Sequence, residues 1–275
     1  MLRRIVPSRT PPPEPSYLRP ELLDSPEQAI PACLGELRRV ARICDKSLRL
    51  AGQTILFAYT AKDVQAIRLN EQVINQVKLA MKGYLAHLTR RQLSKRQAIL
   101  VQYLDRCMSD LERIGDHVEA LCDTSLRRRK SLAGLVDRLS FSIFFQLYES
   151  LLHLFKLLIQ SFDPGGDHPA DIADQILLAR DDYVQASSIT RNHFNEQVTR
   201  RAMTAVAGIF YGEYLAGLDR IVRHIRNIAL AEKQPQFWIK RSKLGKHVDL
   251  APEPEHPPLV DPRDFLPRLQ PDAPP

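Results

Sequence analysis

Glycine is scarce in this chain, 11 in 275 residues, and aromatic residues make up only 7%. A β-sandwich would need frequent turn residues and β-branched or aromatic runs, so the composition excludes it and leaves a helical body. Proline is also missing where it would break helices. Of the 20 prolines, all but Pro164, Pro169 and Pro235 fall at or before Pro31 or after Ala251. The four cysteines, Cys33, Cys44, Cys107 and Cys122, have no short CxxC spacing and sit among apolar neighbours. That argues against a zinc or dithiol redox motif and predicts small buried hydrophobes in a thiol-reduced, cytosolic setting. The basic N-terminus is not followed by an apolar run of about 7–15 residues, so no secretory signal is expected.

Catalytic signatures are missing too. There is no glycine-rich phosphate loop, nucleophile elbow or zinc-hydrolase motif. Neither Glu71 nor Glu112 has a histidine three residues on, as a di-iron bundle enzyme requires. We therefore expect a protein that is not an enzyme. Long apolar runs free of polar residues are absent as well. The strongest, Phe141 to Phe162, is interrupted by Gln146, Glu149, His153, Lys156 and Gln160 at alternating spacings of three and four. Such a stripe predicts a buried bundle helix with one wet face rather than a membrane span.

What the chain has is positive charge, +7 with a pI near 9.3. The basic residues are scattered, and the one cluster, Arg127-Arg128-Arg129-Lys130, has no aromatic residues interleaved for base stacking. It reads as a solvated helix end whose charge complements the macrodipole. No nucleic-acid partner is expected; a basic bundle binding nucleic acid or another protein remains the alternative reading.

In chain order, residues 1–20 form a proline-rich linker. A first helix starts at Ser25-Pro26 and runs to about Ala51, with Leu34, Leu37, Ala41, Cys44 and Leu48 as its core stripe. A second covers Thr60 to Leu88, its apolar face running through Ile67, Ile74, Val77, Met81, Leu85 and Leu88. A third covers Ser94 to Leu126. The fourth spans Leu132 to Phe162 and stops at a proline-glycine break. A fifth runs from Ala170 to Arg200, and a sixth continues to Glu232. Residues 234–275 read as a disordered tail.

The third helix carries Asp110-Leu111-Glu112-Arg113-Ile114-Gly115-Asp116-His117. Glu112 and Asp116 lie one turn apart on the same face, about 5–6 Å between Cβ atoms, and should repel each other. With Asp105, Glu119 and Asp123 they fall within about 60° on the helical wheel, an acidic stripe. The plain reading of the pair is a solvated acidic face offset by neighbouring basic residues. Gly115 suits a close helix approach, and His117, about 100° from Asp116, suits packing. Residues 217–224, Gly-Leu-Asp-Arg-Ile-Val-Arg-His, repeat this stretch near the end of the sixth helix. The expected architecture is therefore all-α, two tandem three-helix bundles over residues 21–130 and 131–233. In the second copy Arg223 replaces Asp116 and is expected to pair with Asp219 one turn earlier.

The stretch Asp110–His117 resembles the third-helix signature of PhoU-type domains. Tyr17-Leu18-Arg19-Pro20-Glu21-Leu22-Leu23-Asp24-Ser25-Pro26 and Arg220-Ile221-Val222-Arg223-His224-Ile225 are similar to the cytoplasmic C-terminal PhoU-like region of bacterial sodium/phosphate cotransporter family proteins. The resemblance covers about residues 17 to 232. It implies a duplicated three-helix bundle and a regulatory role in phosphate transport. The protein would act at the inner face of the cell membrane, as a detached domain or as a piece of a transporter. It would dock on a membrane phosphate transporter or its regulator, or on a second copy of itself. It also implies iron or zinc held by paired acids, which fall here on Glu112 and Asp116 of the third helix and on Glu71 and Asn75 of the second. Asn75 departs from the acidic pattern, and Arg223 argues against a metal in the second bundle.

Overall fold

The computed structural model describes residue 15 and residues 17–57, 60–128, 136–163 and 169–233. The proline-rich stretches expected in 1–14 and 234–275, the break at 164–168 and the basic residues Arg129 and Lys130 lie outside the described residues. Six helices form the body: α1 (Pro26–Leu56), α2 (Ala61–Thr89), α3 (Lys95–Arg127), α4 (Arg138–Ser161), α5 (Pro169–Thr199) and α6 (Ala205–Glu232). A short 3-10 turn, Pro20–Asp24, precedes them. There is no strand among the described residues.

Local chemistry sets the starts of the helices. The Thr60 hydroxyl accepts the Asp63 N–H while the Asp63 carboxylate accepts the Thr60 N–H at 2.9 Å, so two donors that the helix cannot satisfy internally are paired. Ser94 and Gln97 make the same reciprocal pair at the start of α3. The expected start of the fourth helix at Leu132 lies outside the described residues; the helix described begins at Arg138, where the Asp137 carboxylate accepts the Ser140 N–H at 2.9 Å. Thr204 caps α6, and the reversal before it places Arg201 at φ 56.

α1, α2 and α3 pack as one bundle and α4, α5 and α6 as the other. The two are fused: α3 packs as broadly on α6 as on α2, α1 lies on α4, and one continuous apolar core runs through both. Every apolar residue expected on the core stripes of the first two helices is buried. On α4, Gln146, Glu149, His153, Lys156 and Gln160 are all exposed, and the apolar residues between them are buried or half-buried. By length and composition α4 could cross a membrane, yet 56% of its most apolar window is buried within the fold. Its apolar side is the core of the second bundle.

Close approach between the bundles is set at two glycines. A Cβ on Gly52 would lie 2.6 Å from the Tyr148 ring, whose hydroxyl donates to the Leu48 carbonyl of α1. A Cβ on Gly217 would lie 2.6 Å from Leu121 Cδ2. The chain before α1 is also anchored, since Tyr17 N–H donates to the buried Glu36 carboxylate at 2.9 Å and the Tyr84 hydroxyl to the Arg19 carbonyl at 3.0 Å.

Within the basic cluster, Arg128 differs from a solvated helix end. Arg128 is 3% exposed, and its guanidinium donates to the carbonyls of Thr54 at 3.1 Å and Ile55 at 2.6 Å, beside the Tyr214 ring. The charge does complement a helix C-terminus. The helix is α1, which its own sequence leaves without a basic last turn. Cys33, Cys44, Cys107 and Cys122 are free and buried, and burial pushes the Cys122 thiol up to about 11.

Candidate functional site

α3 presents its acidic stripe along the groove it forms with α2. Glu112 ion-pairs with Lys78 of α2 at 2.8 Å. Arg68, three turns earlier on α2, reaches Asp123 at 3.0 Å and Glu119 at 3.9 Å. Asn75 donates a short hydrogen bond to the Glu71 carboxylate. Asp116 is exposed and has no ion pair among the described residues. Partial desolvation and the neighbouring Glu112 raise its pKa above the ordinary aspartate value, against the pull of Lys78 and Arg113. Desolvation, Glu119 and Asp116 raise Glu71 in the same direction. Glu119 is raised by desolvation and Asp123. The stripe is therefore self-repelling, and α2 supplies the cations that offset it.

Glu71, Asn75, Glu112 and Asp116 all lie in this groove, yet they do not form a preassembled metal centre. Among the described residues, no three His, Cys, Asp or Glu side chains converge as metal ligands. An iron or zinc ion would have to displace the Lys78 ammonium from Glu112 and break the Asn75–Glu71 bond. Gly115 does what its position suggests: a Cβ there would lie 3.0 Å from Ile74 Cδ1, so the glycine lets α2 and α3 close up.

The histidines that end the two motif copies meet at the α3–α6 seam. The His117 and His224 rings lie 5.4 Å apart, centroid to centroid. The His224 Nδ1 is hydrogen-bonded to the Asp110 carboxylate at 2.8 Å, with both side chains largely buried. His117 has no such carboxylate, because Gly217 occupies the motif position that Asp110 holds in the first copy. Burial, His224 and the arginines Arg220, Arg113 and Arg223 lower its pKa below the ordinary histidine value. Sequence reading singled out the repeat but missed this seam. The signal was there, in a histidine at the same place in both copies.

The second groove, between α5 and α6, departs from the expected intrahelical pair. Asp219 is not held by Arg223. Its carboxylate accepts from the Ser187 hydroxyl at 2.9 Å and the Tyr183 hydroxyl at 3.2 Å, and ion-pairs with Arg191 at 2.7 Å. Three donors from α5 satisfy both oxygens, so nothing draws Arg223 back along its own helix, and it stands exposed.

Neither a protein-family model nor a curated protein matches the chain. Among solved structures, the crystal structure of the phosphate transport system regulatory protein PhoU from Streptococcus pneumoniae is similar. It is 18% identical, with a TM-score of 0.62 over 76% of this chain and 94% of that one. Two fused three-helix bundles carrying one motif on α3 and again on α6 are thus the PhoU-like fold.

Proposed function

We propose that this chain is a non-catalytic regulatory domain of phosphate transport that works by docking on a membrane phosphate transporter or its regulator. The observation that carries the reading is the likeness over 94% of a protein described as a phosphate transport system regulator. The acidic stripe of α3 is the docking face. Two of its carboxylates, Asp116 and Glu119, are raised above their ordinary values by desolvation and acidic neighbours, and a cationic partner surface would relieve the repulsion more fully than Lys78 and Arg68 do. The resemblance of residues 17–26 and 220–225 to sodium/phosphate cotransporter proteins points to that transporter class and to the cytoplasmic face of the membrane. Iron or zinc at Glu71, Asn75, Glu112 and Asp116 would occupy the same face and compete with such a partner.

Deleting the gene and following phosphate uptake in replete and starved cells tests the role. Uptake should lose its dependence on phosphate supply. Unchanged uptake under both conditions would end the reading.

A further inference from the structure

We propose that the groove between α5 and α6 binds a small molecule carrying two or more linked phosphate groups. The groove encloses about 480 Å³, within the usual range of small-molecule sites. Arg180 and Arg191 line it from α5, Arg223 and Arg226 from α6, and Asp219 lies on its floor. Four guanidinium groups thus face one carboxylate, and that carboxylate is already occupied. Tyr183, 1% exposed, and Ser187, 6% exposed, donate to Asp219, which in turn ion-pairs with Arg191. Asp219 acts as a post that fixes the Arg191 guanidinium within the groove. Arg180 leans on its chain neighbour Asp181 at 2.7 Å. Among the described residues, Arg223 and Arg226 have no ion pair.

The other duplicated groove shows what a self-compensated version looks like. There Lys78 and Arg68 cross from α2 to meet the carboxylates of α3. Among the described residues no carboxylate crosses the α5–α6 groove to Arg223 or Arg226, so the convergence of positive charge is left for a ligand to offset. Guanidinium forks match phosphate oxygens in pairs. Arginines on both walls suit an anion with phosphate oxygens at both ends of a chain, which engages more of them than a single orthophosphate does. Val184 and Val222 complete the lining with apolar surface on which an organic body attached to the phosphates can rest.

Titration calorimetry of the full chain at moderate salt with tripolyphosphate, orthophosphate and citrate tests the proposal. Tripolyphosphate should bind one to one, at least tenfold tighter than either other anion. The double variant Arg223→Gln, Arg226→Gln should weaken it at least tenfold. A variant that removes the same charge elsewhere, Lys62→Gln with Arg200→Gln, should bind within twofold of wild type. Both positions in each pair are wholly or partly exposed, and an unchanged melting curve confirms folding. Pyrophosphate and ADP in parallel separate the ligand sources. Equal affinities assign the site to the phosphate chain, and tighter ADP binding adds an organic body on the valine wall; either supports the proposal. No tripolyphosphate binding, equal binding of citrate, or equal loss in the two double variants would overturn it.

Discussion

The two halves of this protein carry one motif on corresponding helices, and its changed positions give the two grooves opposite electrostatic character. On α3 the motif supplies Glu112 and Asp116 to an acidic stripe that basic residues of α2 partly neutralise. On α6 it supplies Asp219 and Arg223, and the groove there holds four arginines. One substitution, carboxylate to guanidinium at the fourth position after Glu112 or Asp219, accounts for much of the inversion. The shared Leu and Ile, by contrast, are buried in both copies: Leu111, Ile114, Leu218 and Ile221 are all 0% exposed. Duplication preserved the packing face and left the solvent face free to diverge.

At its glycine the α3–α6 seam is packed more tightly than the α2–α3 contact, and glycine substitutions should expose that difference most strongly. Gly217→Ala places a methyl 2.6 Å from Leu121, and overpacking of that kind costs about 1–3 kcal/mol. Gly115→Ala meets only the end of the Ile74 side chain at 3.0 Å, whereas at Gly217 the Leu121 Cγ also lies within 3.2 Å. Both substitutions gain about 0.8–1.0 kcal/mol of helix propensity, which offsets most of the second cost and only part of the first. Denaturant titration should therefore show a loss for Gly217→Ala and little change for Gly115→Ala; equal losses would mean that α6 approaches α3 no more tightly than α2 does.

Asp110 is the next lever. Its carboxylate joins the bundles through His224 at 2.8 Å, and Asp110→Ala should destabilise by about 1–3 kcal/mol by leaving a largely buried partner unsatisfied. A double-mutant cycle with His224→Ala should return a non-zero coupling; strict additivity would remove the bond from the account.

His117 lacks that carboxylate, and its pKa is held below 6.5. Because the folded state disfavours the charged ring, the stability that neutral His117 contributes is full above the ordinary histidine value and is lost as pH falls through its folded value. Melting temperature should drop between about pH 7 and pH 5, and His117→Gln should make that drop shallower. A parallel curve would show that His117 is not the group responsible.

The smallest effect belongs to the stripe. Asp116 is raised, so its favourable contribution lies below the ordinary aspartate value and is lost as pH rises through its folded value. At neutral pH Asp116→Asn should stabilise the free protein by about 0.2–0.5 kcal/mol, the scale of a like-charge pair one helical turn apart. A loss of stability instead, seen only with iron or zinc present, would show that a metal is held there.

The sequence was legible wherever periodicity carries the information. The apolar stripes of the first two helices and the five polar residues of α4 follow from spacing alone, since a helix face is a local property. Charge partners were less legible. Arg223 is one turn from Asp219 in the chain, so a pair between them looked natural; the observed partner, Arg191, comes from another helix. Arg128 likewise caps α1 through the carbonyls of Thr54 and Ile55, 74 and 73 positions away in sequence. Helix faces are written locally, whereas the partner across a seam is known only once the helices are packed.

We propose that the acidic groove docks on a phosphate transport component while the basic groove does not. Capture from solubilised membranes tests it directly, using wild type, the stripe variant Glu112→Gln/Asp116→Asn/Glu119→Gln, and Arg223→Gln/Arg226→Gln. Wild type and the arginine variant should recover a phosphate transporter or its regulator, and the stripe variant should not. Equal recovery by all three, or recovery of no phosphate transport component by wild type, would contradict it.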